Sequence, residues 1–356
     1  MTWGHRSGSS FPSVYPGTTP SAATPGPGVT RPLLDSFGRH VLDLRISVTD
    51  RCNFRCTYCM PAEDMRWLPR SEILTFEEIE RVAAVFAVRF GITSIRLTGG
   101  EPTARAHLPE LVARLAPLPV ELSMTSNGAT MQRLAGPLKD AGLHRVTISC
   151  DSLRPERFAA MTGRDALDDV LAGVAAAQAA GLHPVKINTV LIRGVNDDEV
   201  VDLARFGRER GLEVRFIEFM PLDGAGAWAS DQVVPASEIL GHIAAVFPLE
   251  AVGARGNQPA ERYRYLDGGG HVGVVASVTR SFCHLCDRVR LAAEGALRSC
   301  LFSVGERDLR ALLRGGASDD DLEQVIEAEV AAKWAGHSIG QVNFIRPARS
   351  MSQIGG

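Results

Sequence analysis

Aromatic residues are scarce in this chain, at 6% of 356 residues, and neither sign of charge dominates. Lys and Arg number 38 against 41 Asp and Glu, for a net charge of −3. Such a balance gives no global basic field, which argues against a nucleic-acid partner. Long apolar runs are missing too; none approaches the ~18 residues of a membrane span, so no membrane is expected. The N-terminus lacks the apolar segment of a secretory signal, and a cytoplasmic protein is expected. No Gly-x-Gly-x-x-Gly follows any strand-like segment, which weakens a dinucleotide-binding reading. Cysteine is limited to seven residues: Cys52, Cys56, Cys59, Cys150, Cys283, Cys286 and Cys300. An odd count in two triplets does not make a disulfide framework, and in an intracellular chain such spacing reads as metal binding.

What is present suffices for a buried core, since 45% of residues are hydrophobic. Residues 1–38 are rich in Gly, Pro, Ser and Thr and read as a disordered leader. From 39 to 225 short strands alternate with helices. Leu42, Leu44, Ile46 and Val48 alternate with polar residues, giving a strand of period two. Thr75 with Glu78 predicts a capping box, and Ile79, Val82, Val85 and Phe86 give the helix its apolar stripe. Further strands are predicted near 93–98, 120–125, 144–149, 185–191 and 213–219, with helices near 107–116, 130–141, 166–180 and 196–210. Six such units imply a parallel sheet, and a partial (β/α)6 barrel of the TIM type fits better than an open doubly wound sheet. Residues 226–356 break the rhythm and read as a C-terminal extension, with a helix near 236–246, a Gly-rich hairpin near 262–280 and acidic helices within 305–335.

Chemistry in parallel barrels sits at the C-terminal strand ends. Small and polar residues collect there: Thr49-Asp50-Arg51, Gly99-Gly100-Glu101-Pro102, Thr125-Ser126-Asn127-Gly128 and Ser149-Cys150-Asp151. Turn chemistry explains part of this, but not Lys186 and Asn188, which lie inside a strand; Arg215 and Glu218 lie on the sixth strand.

Cys52, Cys56 and Cys59 form Cys-x3-Cys-x2-Cys directly after the first strand. Three thiolates in one loop grip three corners of a four-iron cluster and leave the fourth iron open to a small ligand. Structural zinc is the alternative, but it needs a fourth ligand, and His40 precedes the strand. Cys283, Cys286 and Cys300 form a second triplet. Here the alternatives are another open four-iron cluster or a Cys3His zinc site using His284. Arg288 and Arg290 follow Cys286, while Arg45, Arg96 and Lys186 lie on strands. Each alone suits an ordinary ion pair; together they suit a triphosphate. The terminal Gly355-Gly356 pair reads, by itself, as a frayed tail.

The Cys-x3-Cys-x2-Cys loop with Tyr58 before its last cysteine, followed by Gly99-Gly100-Glu101-Pro102, resembles the radical S-adenosylmethionine (SAM) family. The runs LRISVTDRCNFRCTYCMP, IRLTGGEPTAR, MTSNG, VTISCDSL, VKINTVLIRGVND, VRFIEFMP and CHLCDRVRL make the chain similar to that family's GTP-cyclising branch, which opens molybdenum cofactor biosynthesis. The likeness spans roughly residues 38–356.

The resemblance implies two [4Fe-4S] clusters. Cys52, Cys56 and Cys59 would hold the one that chelates SAM, and Cys283, Cys286 and Cys300 the one that holds substrate. Tyr58, Gly100, Ser149 and Met220 would contact SAM. Arg45, Arg96, Thr125, Lys186, Arg288, Val289 (through its backbone) and Arg290 would contact GTP. Arg288, Arg290, Gly355 and Gly356 are also expected in the catalytic machinery, the Gly-Gly tail reaching the active site. A 5′-deoxyadenosyl radical would take the ribose C3′ hydrogen, and the C3′ radical would attack guanine C8 to give 3′,8-cyclo-7,8-dihydro-GTP. Expected partners are an electron donor such as flavodoxin or ferredoxin and the cyclic pyranopterin monophosphate synthase that takes the product. Monomer and homodimer both stay open. Ser126, Thr103-Ala104 and Cys150 depart from the family pattern without removing a cluster ligand. A twin-cluster radical SAM enzyme acting on a peptide is the alternative; its extra domain usually carries more cysteine. A zinc or iron–sulfur scaffold would not need the Gly-Gly-Glu-Pro turn or the strand-borne cations.

Overall fold

The structure is a computed structural model, and it describes residues 31–60, 67–223, 226–339, 341, 344–347 and 349–355. Gly356 and most of the expected leader lie outside the described residues. In the described part of that segment, Leu33 is buried and the Asp35 carboxylate takes the Arg39 guanidinium, so residues 31–38 pack on the rest of the chain, contrary to the expected disorder there.

Six parallel strands form the centre, paired in chain order: β1 (Asp43–Ser47), β2 (Ser94–Thr98), β3 (Glu121–Ser126), β4 (Arg145–Ser149), β5 (Lys186–Leu191) and β6 (Glu213–Glu218). The helices between them are α1 (Phe76–Ala84), α2 (Leu108–Leu115), α3 (Met131–Asp140), α4 (Pro155–Thr162), α5 (Leu167–Ala179) and α6 (Val200–Arg210). Thr75 accepts from the Glu78 amide while the Glu78 carboxylate takes the Thr75 amide, so the predicted capping box is present. Ile79, Val82, Val85 and Phe86 are all buried. The sequence pattern did not reveal α4, whose eight residues carry too weak an apolar stripe to announce it.

The rest of the chain adds α7 (Ala236–Ala244), β7 (Leu249–Ala251), β8 (Glu261–Tyr265), β9 (His271–Val275), β10 (Arg288–Leu291), β11 (Ala296–Arg298), β12 (Arg307–Asp308), α8 (Leu309–Arg314), α9 (Asp319–Ala331) and α10 (Met351–Ile354). These strands do not form a sheet of their own. β10 pairs parallel with β1, and β9 pairs parallel with β6. The result is one sheet in the order β12-β11-β10-β1-β2-β3-β4-β5-β6-β9-β8-β7. Its two edges, β12 and β7, are not paired with each other, so the barrel is partial. A continuous core of buried residues runs from Leu33 to Val330, and its burial is the main force holding the sheet and helices together.

Candidate active site

The chain forms a cavity of about 560 Å³, and all six cysteines of the two triplets line it. The first triplet leaves β1 through Thr49-Asp50-Arg51. The Gly100 amide donates to the Thr49 carbonyl at 2.8 Å, and the Glu101 amide to the Arg51 carbonyl at 2.8 Å. A Cβ on Gly100 would stand 2.5 Å from the Asp50 and Arg51 carbonyl oxygens. Glycine is needed there for the β2 turn to meet the cysteine loop, a closer reason than approach to a ligand. Glu101 is buried and accepts from the Thr103, Ser126 and Asn127 groups, fixing the β2 and β3 ends together. The Cys59 and Met60 amides both turn back to the Cys56 carbonyl at 3.0 Å. Burial pushes the Cys52 thiol up to about 11 and the Cys59 thiol up to about 12, so these sulfurs need a cationic partner to become thiolates.

Tyr58 donates to Asp151 Oδ2 at 2.6 Å across the cavity wall. Burial raises Asp151 to about 6, against the pull of the Tyr58 hydroxyl and the Val190 amide. Gly100, Ser149 and Met220 line the same wall. Cys150 is buried beside them, its thiol against the Ser152 carbonyl at 3.5 Å, in a packing role.

The second triplet starts in a tight turn, with the Cys286 amide bonded to the Cys283 carbonyl at 3.1 Å. Two of its three thiols are shifted opposite to those of the first triplet, whereas burial still raises Cys300. Burial alone would raise Cys283, but hydrogen bonds from His337 and Ser281 bring it down to about 6. Burial likewise opposes, and the Arg288 and Lys333 charges win, in lowering Cys286. His284 is exposed and does not line the cavity, so the imidazole beside this triplet is that of His337. Among the described residues, no three His, Cys, Asp or Glu side chains converge as a single-ion site would. The thiols of each triplet instead line the wall of a space large enough for a bulkier iron–sulfur group.

Between the triplets the strand register stacks cations. Arg45 on β1 stands opposite Arg96 on β2 and Arg290 on β10. Three guanidinium groups thus share one row across three neighbouring strands. Burial, then Arg45, depresses Arg96 to about 9, still charged at neutral pH; burial, then Arg45 and Arg288, depresses Arg290. Arg45 Nε, Arg96 Nε, Arg288 Nε and Arg288 Nη2 are buried with no hydrogen-bond acceptor in the protein. Buried like charges with unused donors are costly unless an anion completes them. Thr125 Oγ1 accepts from Arg96 at 3.4 Å in the same wall.

Two of the expected nucleotide residues stand apart. Lys186 does not line the cavity; it faces Glu213 Oε1 at 3.5 Å, one layer from the row. Val289 is fully buried, so only its backbone can serve. Gly355 is buried against Thr98 and Ser47 at the ends of β2 and β1, and its carbonyl accepts from the Arg290 guanidinium. The pattern also missed Lys333 and His337, which contact Cys286 and Cys283, and Asn257 and Gln258, which line the cavity. Nothing in a single sequence distinguishes these from surface polar residues.

Residues 46–207 match the radical SAM superfamily, and residues 212–339 match the family described as Molybdenum Cofactor Synthesis C. A protein of Mycobacterium bovis named GTP 3′,8-cyclase 2 is 50% identical over 336 residues, which cover 92% of this chain and 93% of that protein. The GTP 3′,8-cyclase of Streptomyces coelicolor is 48% identical over 329 residues, covering 91% and 96%. The chain belongs to the GTP 3′,8-cyclase family of radical SAM enzymes. Enzymes of this family use SAM and two [4Fe-4S] clusters, and in this chain the thiols of both cysteine triplets are free and line one cavity. Among solved structures, native anSMEcpe with bound AdoMet has the same fold at a TM-score of 0.53 and 16% identity, over 74% of this chain and 75% of that one. The Streptococcus suis SuiB structure bound to S-adenosylmethionine gives 0.52 at 14% identity, over 80% and 68%.

Proposed function

We propose that this protein converts GTP to 3′,8-cyclo-7,8-dihydro-GTP, the first step of molybdenum cofactor biosynthesis, with the residue roles that follow. The carrying observation is the in-register row Arg290-Arg45-Arg96 with its unused buried donors. A triphosphate supplies the acceptors that this row lacks, through bidentate guanidinium contacts. Cys52, Cys56 and Cys59 hold the SAM cluster, and Cys283, Cys286 and Cys300 hold the cluster at the guanine end. When bound, the first cluster and SAM supply the radical that takes the ribose C3′ hydrogen.

The chain's own part is orientation and exclusion of water. Arg45, Arg96, Arg288 and Arg290 fix the phosphates between the two clusters, and Thr125 steadies Arg96. Lys186 adds positive potential from behind the wall, with Glu213 holding it in place. Tyr58, Gly100, Ser149 and Met220 form the SAM wall, Tyr58 being braced by Asp151. Gly355, held by Arg290 and packed against Thr98 and Ser47, brings the tail to the strand ends beside the nucleotide row.

We place the reaction in the cytoplasm, where thiols stay reduced; all seven cysteines are free here. Among the described residues no helix is long and apolar enough to cross a membrane. A flavodoxin or ferredoxin would supply electrons, and the cyclic pyranopterin monophosphate synthase would take the product.

The test is anaerobic turnover with GTP deuterated at C3′, SAM and dithionite, read by mass spectrometry. Deuterium in 5′-deoxyadenosine together with a cyclised nucleotide is the expected result. Deoxyadenosine without deuterium would move the substrate elsewhere and overturn the GTP assignment.

A further inference from the structure

Lys333 is buried without an acidic partner. The residue follows α9 and is 4% exposed, and its side chain turns inward. Its Nζ donates to the Arg288 carbonyl and lies 3.6 Å from Cys286 Sγ. The nearest acid in sequence, Glu329, is committed elsewhere: it accepts from the Ser299 amide at 3.0 Å and faces Arg307. Among the described residues no ion pair forms with Lys333. Lysine is almost never fully buried unless its charge is answered.

Position at a helix C-terminus does not account for this. A cation there gains from the helix dipole, but an exposed side chain gains the same. The direction of the side chain points to another anion. Its field reaches two ligands of the second triplet, opposing burial at both Cys286 and Cys300. Residues 329, 333 and 337 recur at every fourth position, and each serves one cysteine. Glu329 holds the amide before Cys300, Lys333 meets Cys286, and His337 bonds Cys283.

We infer that Lys333 is the counter-cation of the second cluster: its ammonium answers the negative charge of the group bound by Cys283, Cys286 and Cys300 and eases that group's reduction. The inference rests on the assignment of those three cysteines to a cluster. Net charge and hydrogen bonds to the sulfurs set the potential of such groups. A fixed positive charge beside one thiolate favours the form with the extra electron. Through the Arg288 carbonyl, the same ammonium ties the cluster loop to the strand that carries the nucleotide cations.

The test uses the full chain, reconstituted anaerobically with iron and sulfide, with Cys52, Cys56 and Cys59 each changed to Ala so that only the second cluster is read. Iron content and a potentiometric titration followed by electron paramagnetic resonance compare Lys333 with Lys333→Met and Lys333→Arg. For Lys333→Met the reduction equilibrium should fall at least about tenfold, a potential lower by about 59 mV for one electron. Lys333→Arg, which keeps the charge, should stay close to the parent. An unchanged potential in Lys333→Met with full iron overturns the inference. If Lys333→Met loses the cluster, Lys333→Arg decides: a cluster at the parental potential upholds the charge role, and loss in both variants overturns it. Failure of the Lys333 parent itself to bind iron would overturn the cluster assignment beneath.

Discussion

The Arg290 guanidinium donates to the backbone carbonyl of Gly355, so a cation of the nucleotide row also grips the penultimate residue of the chain. The tail is therefore built into the cavity wall. It is fixed from outside by Arg346 on Asp223 and by Arg349 on Glu294 and Glu306. From inside it is fixed by Ile354, which is fully buried.

Gly355 has φ +71°, and a Cβ there would stand 2.7 Å from Thr98 Oγ1 and 3.3 Å from Ser47 Cβ. Gly355→Ala should displace the tail and lower turnover at least about tenfold, a change of about 1.4 kcal/mol in barrier. Iron content should stay at the parental value. Product formation per iron, measured side by side, checks this; full activity would show that the buried tail has no part in turnover.

The anchors of the tail are predicted to matter less than its tip. Arg349→Ala removes two partly exposed ion pairs, each worth up to about 1 kcal/mol. Turnover should fall severalfold, and Glu294→Gln should give part of the same loss. Steady-state rates of both variants at matched cluster content provide the comparison.

Lys186 should make GTP affinity depend on pH. Burial, then the Arg215 charge, lowers its ammonium to about 8, with Arg145 and Arg262 adding to the effect and Glu213 opposing it. Attraction for a triphosphate needs the charged form. Affinity should therefore be full near pH 7 and decline as pH rises through about 8. Lys186→Ala should weaken binding at pH 7 and flatten this profile while both clusters remain. Titrations of GTP at pH 7, 8 and 9 would show it, and an unchanged affinity in Lys186→Ala would remove the residue from the site.

Asp151 depends on Tyr58 for one of its donors. Tyr58→Phe leaves the buried carboxylate short of that donor, a loss of about 1–3 kcal/mol in stability. The sign follows from the charge. Above about pH 6 the carboxylate is ionised in the folded protein, and the lost donor hurts; below it the acid is protonated, and the difference shrinks. Melting curves at pH 5 and pH 8 should show the larger gap at pH 8, and SAM affinity should weaken in parallel.

Much of the barrel was legible because local rules govern it. The strand of alternating residues at 43–47, the Thr75–Glu78 cap and the stripe from Ile79 to Phe86 each depend on neighbours within one turn or one pleat. The cysteine spacings were legible for the same reason. α4 was not, because its short stripe gives little period to read.

Lys333 and His337 could not be read as site residues, because each acquires its role only from a partner far away in sequence, Cys286 and Cys283; Asp151 was legible as a strand-end residue, but its bond to Tyr58 was not. The sequence by itself determined the six βα units, the two sets of three thiols and the identity of the strand-borne cations. Tertiary structure alone decided that β10 pairs with β1, which sets Arg290 beside Arg45, joins two halves of the chain into one cavity and brings the Gly355 carbonyl to the Arg290 guanidinium. The physical reason is range: side-chain period and capping are settled within a few residues, whereas strand register between distant segments is fixed only when the whole core is buried.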